Sequence, residues 1–194
     1  MSGFRVLVFC GSSESCDPKY LDVASRLGRA LASSSMSVVY GGGMLGSMGA
    51  VANAALAGGV RVVGIQPRFM RELGWSHDGI TELVLVEDMR ERMRRMLAGS
   101  NAVVALPGGS GTLEELLVAI TAKRLGELGS PIVLVNQGGF YDPLLEQLEH
   151  CVRQRFLAER HAQMWSVVAE PEDVPAAIRS APAWPENSLT FAAL

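Results

Sequence analysis

The chain carries AVVALPGGSGTLEE at residues 102–115, where a short apolar run passes through a glycine-rich loop into a helical pattern. A buried strand that feeds directly into a helix is the building unit of parallel α/β proteins. Three glycines and two hydroxyl residues form a nest of backbone N–H groups at a helix N-terminus, which suits a phosphate. No lysine follows the last glycine, so this is not a Walker loop. The segment predicts a strand, an anion-binding turn and a helix.

A local interpretation of the same loop competes with anion binding. Thr112, followed three residues later by Glu115, fits a capping box, in which both side chains cap the first turn of the helix. A cap does not require three neighbouring glycines, so this interpretation leaves part of the pattern unexplained. On the sequence alone both interpretations stay open.

The alternation of apolar runs and helical patterns extends along the chain in both directions. Strands are predicted at residues 4–10, 38–40, 60–65, 82–86, 102–106, 132–135 and 167–168. Helices are predicted at residues 17–32, 47–57, 88–98, from the glycine loop to about 125, 141–154 and 171–178, with one short helical turn between 67 and 79. This alternation is typical of a doubly wound α/β fold, a Rossmann-like parallel sheet with helices on both faces.

The domain organisation that we predict is a single nucleotide-binding catalytic domain over residues 1–180. A tail over residues 181–194 follows, and it contains prolines without helical or strand periodicity. Such a tail is either loose or docked on a partner subunit.

Composition limits the classes of function. The 194 residues include 17 Lys and Arg against 20 Asp and Glu, a formal net charge of −3 that argues against a nucleic-acid partner. No apolar run approaches the roughly 18 residues of a membrane span, so no membrane association is expected. The N-terminus has no cleavable signal pattern, and we expect a cytoplasmic protein.

Metal and disulfide chemistry is not expected. Cys10, Cys16 and Cys151 cannot form a closed disulfide set, and no two of them form a C-x-x-C pair. The three histidines are scattered without ligand-like spacing, so we predict no metal site. Any acid–base chemistry should therefore fall to carboxylates, with arginine or backbone amides stabilising charge.

A second glycine-rich loop, residues 41–49, lies between a predicted strand and a predicted helix and satisfies G-x-G-x-x-G. A dinucleotide site also expects an acidic residue at the end of the next strand, to hold the ribose. That strand ends in Gln66 and Pro67, so a conventional NAD site is disfavoured. The local alternative is a tight turn that lets the helix pack closely on the strand.

Taken together, the two loops carry a family resemblance. Residues 107–115 match P-G-G-x-G-T-x-x-E, and residues 41–49 match G-G-G-x-x-G-x-M-G; both are signatures of the Lonely guy (LOG) family, the cytokinin riboside 5′-monophosphate phosphoribohydrolases. Residues 9–13 and 140–145 are also similar to that family. The resemblance spans the chain to about Arg179. Many relatives bear a lysine decarboxylase label, which nothing in this sequence supports, because no constellation for pyridoxal phosphate occurs.

The resemblance extends to the arginine-rich segment, residues 88–96. The family pattern there reads M-H-x-R-K; this chain keeps Met89 and Arg92 but has Arg90 and Met93 at the other two named positions. On the residues alone, Arg92 lies nearest the apolar stripe of its helix and could bind a nucleotide bidentately. The neighbouring arginines fit a solvated face with i,i+4 ion pairs.

The resemblance implies a role for each matching residue. Arg92 is implied to be catalytic, with Glu115 as its acidic partner. The implied substrate- and phosphate-binding residues are Gly42, Gly43, Glu72, Met89, Gly109, Ser110, Gly111, Thr112 and Thr121. After Thr121 the relatives often have W-A-Q, whereas this chain has Ala122, Lys123 and Arg124. Glu72 aligns only with a small shift, and a solvated loop glutamate is the competing interpretation.

The implied activity is hydrolysis of the N-glycosidic bond of a nucleoside 5′-monophosphate, either a cytokinin riboside monophosphate or AMP. The expected products are the free base and ribose 5-phosphate. The resemblance further implies a homodimer and no cofactor. The alternatives are a nucleotide or cofactor carrier or sensor without turnover, and a scaffold that binds a protein partner. Nucleotide turnover separates the first of these from an enzyme.

Overall fold

The computed structural model describes residues 3–185 and 187–192 and contains one seven-stranded parallel sheet. Its strands are β1 (Arg5–Phe9), β2 (Ser37–Tyr40), β3 (Val62–Pro67), β4 (Glu82–Val86), β5 (Ala102–Ala105), β6 (Ile132–Val135) and β7 (Trp165–Val168). The predicted strands are confirmed, and most of their ends shift by only one or two residues.

In the part of the chain that the structure describes, seven α-helices connect and flank these strands. They are α1 (Pro18–Ser33), α2 (Gly46–Ala57), α3 (Arg68–Glu72), α4 (Met89–Leu97), α5 (Ser110–Arg124), α6 (Asp142–Arg153) and α7 (Val174–Ser180). Short α3 is the helical turn expected between residues 67 and 79. Asp17 caps α1 as its position before Pro18 predicts, because its carboxylate accepts from the Lys19 N–H at 3.0 Å.

The strand order is β4-β3-β2-β1-β5-β6-β7. The chain first winds outward from β1 to β4 and then returns to the other side of β1 with β5. This reversal opens a crevice beyond the carboxyl ends of the central strands, the usual ligand site of doubly wound sheets. Both glycine-rich loops leave the sheet at this edge.

Two hydrophobic cores hold helices against opposite faces of the sheet. On one face, Leu27 of α1 and Val51 of α2 are fully buried and Ile178 of α7 is nearly so. On the other face, Met96 of α4 and Leu116 of α5 are as well buried. The predicted doubly wound architecture is therefore confirmed. No helix in residues 3–185 and 187–192 is both long enough and apolar enough to cross a membrane.

The start of α5 corrects the capping-box interpretation. The helix begins at Ser110 with Gly109 as its N-cap, and no side chain caps it. Thr112 therefore lies inside the first turn, and Glu115 lies too far along the helix to reach back to the cap. As a result, the carboxylate of Glu115 is available for other contacts.

The described part of the C-terminal tail packs on the chain itself. The Trp184 indole donates to the carbonyl of Lys123 at the end of α5, at 2.8 Å. Phe191 is buried and meets Trp184 edge-on, with ring centroids 6.0 Å apart. The sequence predicts a tail that is either loose or docked on a partner. In the structure, the described part of the tail packs against α5 instead.

Candidate active site

A cleft of about 480 Å³ lies at the carboxyl edge of the sheet. Its walls come from five segments of the chain: the end of β1, the loop after β2, the region from β3 to Trp75, helix α4, and the loop that opens α5. Because these segments are far apart in sequence, the cleft exists only when the sheet is assembled.

The N-terminus of α5 forms one end of the cleft. The first N–H groups of a helix have no intrahelical acceptor, so those of Ser110, Gly111 and Thr112 are free to bind an anion. A Cβ atom added at Gly109 or Gly111 would meet nothing within 4 Å, and both glycines line the cleft, so this end of the helix is open to it. A Cβ at Gly108, by contrast, would collide with the side chain of Thr112. The glycines therefore serve two purposes, an open anion site and a tight turn.

Arg92 of α4 reaches across the ends of two strands. Its Nε donates to the carbonyl of Ile65 at 3.0 Å, and its Nη2 donates to the carbonyl of Gly41 at 3.4 Å. The residue is only 8% exposed. These bonds hold the guanidinium in one orientation and leave Nη1 directed toward α5.

Glu115 of α5 meets that guanidinium. Its Oε1 lies 3.1 Å from Nη1 of Arg92, and both side chains are almost fully buried. Burial raises the pKa of Glu115 from 4.5 to about 7; the charge of Arg92 lowers it, and the charge of Glu114 adds to the rise. Desolvation therefore outweighs the ion pair. A carboxyl with a pKa near neutrality can accept or release a proton at physiological pH.

Cys10, at the end of the central strand, lines the cleft beside this ion pair. Burial raises the pKa of its thiol far above the ordinary value, and the charge of Glu115 adds to that rise. The thiol therefore stays protonated and neutral. Cys10 contributes a small apolar surface to the cleft rather than a nucleophile.

The second glycine-rich loop brings α2 close to the central strands. Gly42 has a φ of +79°, and a Cβ there would lie against Gln66 and Leu83. Gly46 has a φ of +58° and lies directly against Ser12 and Ser13. The local interpretation of this loop, a tight turn with close packing, is thus confirmed, while Gly41 and Gly43 also line the cleft.

Most of the residues implied by the resemblance come together in this cleft. Its lining includes Gly43, Met89, Arg92, Gly109, Ser110, Gly111, Thr112 and Glu115. Three others are absent from it: Gly42, Glu72 and Thr121. Gly42 turns toward β3, and Glu72 is exposed at the end of α3. Thr121 lies six residues beyond Glu115, about 9 Å further along the helix axis, and faces a different groove.

The other arginines of α4 face away from the cleft. Arg95 pairs with Glu91 at 2.8 Å, one helical turn earlier, and Arg90 and Arg94 are exposed. The interpretation of these three as a solvated face is confirmed. Arg92 alone among them faces inward, as its spacing from the apolar stripe indicates.

Sequence reasoning missed the apolar wall of the cleft. Four large side chains of this wall were not among the expected site residues: Met44, Met48, Met70 and Trp75. Trp75 and Met70 lie in the segment between β3 and β4, which has no periodicity from which to infer their direction. The one signal in the sequence was a tryptophan in a segment that is mostly predicted to be a loop.

A second groove, of about 1320 Å³, runs between α4 and α5 on the outer face. Its walls include the exposed apolar side chains of Leu117, Val118 and Leu125 together with the charged Arg94 and Glu114. The groove borders the cleft through Met89 and Glu115, which line both. Within the described ranges, no group of three or more His, Cys, Asp or Glu side chains is arranged to hold a metal ion.

Comparisons with known proteins identify relatives of this chain. The model of a family described as "Possible lysine decarboxylase" matches residues 48–178. A cytokinin riboside 5′-monophosphate phosphoribohydrolase of Rhodococcoides fascians is 40% identical over 90% of this chain and 89% of its own length. An enzyme of the same name from Arabidopsis thaliana is 41% identical over 79% of this chain and 72% of its own.

Among solved structures, the molybdenum cofactor carrier protein of Chlamydomonas reinhardtii superposes with a TM-score of 0.70. The alignment covers 92% of this chain and 97% of the carrier, at 20% identity. At that identity the likeness is one of fold, and function has to be argued from the site.

Proposed function

This chain belongs to the Lonely guy (LOG) family of phosphoribohydrolases, and from that membership we propose that it hydrolyses the N-glycosidic bond of a nucleoside 5′-monophosphate. The products are the free base and ribose 5-phosphate. The observation that carries the proposal is the buried pair of Arg92 and Glu115, 3.1 Å apart, beside an open helix N-terminus.

The phosphate is held at the N-terminus of α5. Free N–H groups of Ser110, Gly111 and Thr112 and the positive end of the helix dipole both favour a dianion. Binding there positions the sugar, because the phosphate is joined to it through the 5′ carbon. The nucleotide thus enters as an oriented reactant, which lowers the entropic part of the barrier.

Glu115 carries the chemical step. As the bond between C1′ and the base breaks, the electron pair of that bond leaves with the base. The sugar becomes an oxocarbenium-like cation. The ionised carboxylate stabilises that cation and accepts a proton from the attacking water, whose oxygen bonds to C1′. The departing base takes up a proton from solvent, and Glu115 later releases to solvent the proton it accepted, so the overall reaction consumes one water and restores the ionised carboxylate.

Arg92 has two tasks in this proposal. Its bonds to Ile65 and Gly41 fix the guanidinium, which in turn fixes Glu115. Its charge also lowers the pKa of Glu115, so that part of the carboxyl is ionised near neutral pH. Without this charge, burial would keep the carboxyl protonated.

The direct test is release of free base from a panel of nucleoside 5′-monophosphates, with the matching nucleosides as controls. We expect turnover of a monophosphate and little or none of its nucleoside. Preference for nucleosides would contradict the phosphate anchor. Tight nucleotide binding without turnover would favour the carrier function instead.

We further propose that the chain acts as a homodimer through the groove between α4 and α5. Leu117, Val118 and Leu125 there are between 36% and 42% exposed, which is costly for a free surface. The groove also carries Arg94 on one helix and Glu114 on the other, so two copies related by a twofold axis can pair opposite charges. Light scattering on the purified protein tests the assembly.

Two further expectations belong to the same proposal. We propose a cytoplasmic location, where nucleotides are available and where the three free cysteines would stay reduced. We also propose no nucleic-acid partner, since the net charge is −3 and phosphate binding is confined to one helix end. Cell fractionation and a binding assay with single-stranded and double-stranded DNA test the two points.

A further inference from the structure

Trp75 is an exposed tryptophan in a fixed position. Its side chain is 50% exposed and lines the cleft that holds Arg92 and Glu115. Large aromatic side chains lose apolar burial when they stand exposed, so this placement costs stability unless something covers the ring.

Hydrogen bonds on both sides hold the backbone around Trp75. Its N–H donates to the carbonyl of Met70 at 3.2 Å, and its carbonyl accepts from the N–H of Met44 at 3.3 Å. Gly74 before it has a φ of +77°, which ends α3 and turns the chain. Ser76 after it is buried, bridges to Gly43, and donates its hydroxyl to the side chain of Gln66 at 2.5 Å. The segment is therefore anchored while the indole itself remains uncovered.

The position of Trp75 along the cleft is set by the strand order. The anion site lies beyond β5, at the start of α5, whereas Trp75 follows β3, three strands away in the sheet. Arg92 lies between the two ends, because it is bonded at the tips of β2 and β3 and reaches Glu115 on α5. A nucleotide whose phosphate is at α5 and whose sugar is at Glu115 places its base toward Trp75.

We propose that Trp75 is a specificity-determining residue that binds the planar base of the nucleotide on the face of its indole. The proposal rests on the proposed function for the site as a whole, and it deepens it by naming the base-binding group. Met44 and Met70 line the same cleft and bond to the backbone of Trp75, and their thioethers suit a flat, polarisable ring. Stacking accepts any base but favours the larger purine surface, so the chain should prefer purine over pyrimidine monophosphates.

The test compares the wild type with Trp75→Leu and Trp75→Phe in hydrolysis of AMP and UMP. For AMP, Trp75→Leu should raise KM by on the order of tenfold or more with a smaller change in kcat, and Trp75→Phe should recover much of the loss. The preference for AMP over UMP should shrink in Trp75→Leu. Inhibition by ribose 5-phosphate, which lacks a base, should keep the same Ki.

The matched control is Leu73→Ala, which removes a 57% exposed apolar side chain from the same segment without touching the cleft lining. It should leave KM and kcat unchanged. An equal rise in the ribose 5-phosphate Ki and the AMP KM of Trp75→Leu would overturn the proposal, because it would mean that the loop had collapsed. An unchanged KM would overturn it as well.

A binding measurement separates this proposal from the proposed function. Glu115→Gln keeps AMP intact during titration, and we expect AMP to change the tryptophan fluorescence of Glu115→Gln but not of Glu115→Gln with Trp75→Phe. That result would support the base contact even if no monophosphate were hydrolysed by the wild type. The same fluorescence change in both proteins would assign it to Trp165 or Trp184 and would refute the contact.

Discussion

Removal of the Arg92 charge should move the acid limb of the pH–rate profile. In the wild type, burial raises the pKa of Glu115 to about 7 even though Arg92, 3.1 Å away, opposes the rise. Loss of an adjacent opposite charge typically changes a carboxyl pKa by about 1–3 units. In Arg92→Gln we therefore expect the pKa of Glu115 to rise further, by about two units. The ionised fraction of Glu115 at pH 7 would then fall from about half to about one in a hundred.

The assay is base release from the best monophosphate between about pH 5 and pH 10, with kcat/KM reported at each pH. The wild type should lose activity below about pH 7, and Arg92→Gln below about pH 9. Much of the roughly 50-fold loss at pH 7 should return when the pH is raised. Carbon NMR of labelled glutamate carboxyls reads the same pKa without catalysis, so a weakly active variant remains informative.

Arg95→Ala on the same helix is the matched control, since its guanidinium pairs with Glu91 at the surface. Its profile should coincide with that of the wild type. A midpoint of Arg92→Gln that stays near pH 7 would refute the electrostatic role of Arg92. A loss that is equal at every pH would indicate instead that Arg92 acts only by positioning Glu115 and not through its charge.

Three further perturbations follow from the same geometry. Because the pKa of Glu115 is raised, the folded state keeps a proton that the unfolded state has lost, and the free energy of unfolding of the wild type should fall by about 3 kcal/mol at most as pH rises from about 4.5 to about 7. Glu115→Gln should lack this fall, so the difference in Tm between the two proteins should change over that pH range and stay constant above it. Gly109→Ala should keep the wild-type Tm but raise KM for a monophosphate about tenfold, because its methyl group would lie before the anion site. Gly108→Ala should lower Tm, because its methyl group meets Thr112. Equal losses of Tm in the two variants would contradict these separate roles of the two glycines. Leu117→Arg should convert a dimer to a monomer in light scattering, and Leu189→Arg, which is more exposed and outside the groove, should not.

The fold could be predicted because its signals are local. Each strand is a short β-branched run, and most helices begin or end at a recognisable residue, such as Asp17 with Pro18 at the start of α1. Parallel strands buried on both faces read as continuous apolar runs, and AVVA of β5 is one of them. The doubly wound class follows from the alternation of strands and helices, whereas the order of the strands comes from the structure.

The site could be predicted only in part. The family signature singles out Arg92 and Glu115, and in the structure these two side chains form an ion pair. Their catalytic roles remain a proposal. The capping-box interpretation of Thr112 and Glu115 was wrong because the helix begins three residues earlier than the side-chain pattern suggests, with Gly109 and not Thr112 as its N-cap. Trp75 was missed because its place beside the cleft depends on a backbone hydrogen bond to Met44, 31 residues away in the chain, which no local pattern encodes.

Helix α5 carries both the amide end that faces the cleft and, one turn further on, the carboxylate of Glu115. A helix is stiff, with a fixed rise of about 1.5 Å per residue, so the distance between the two groups is fixed. Under the proposed assignment, this fixed distance matches the distance from a 5′-phosphate to the anomeric carbon of one ribose. A nucleoside diphosphate docked by its terminal phosphate would carry its anomeric carbon past the carboxylate, so chain length alone would exclude ADP from turnover.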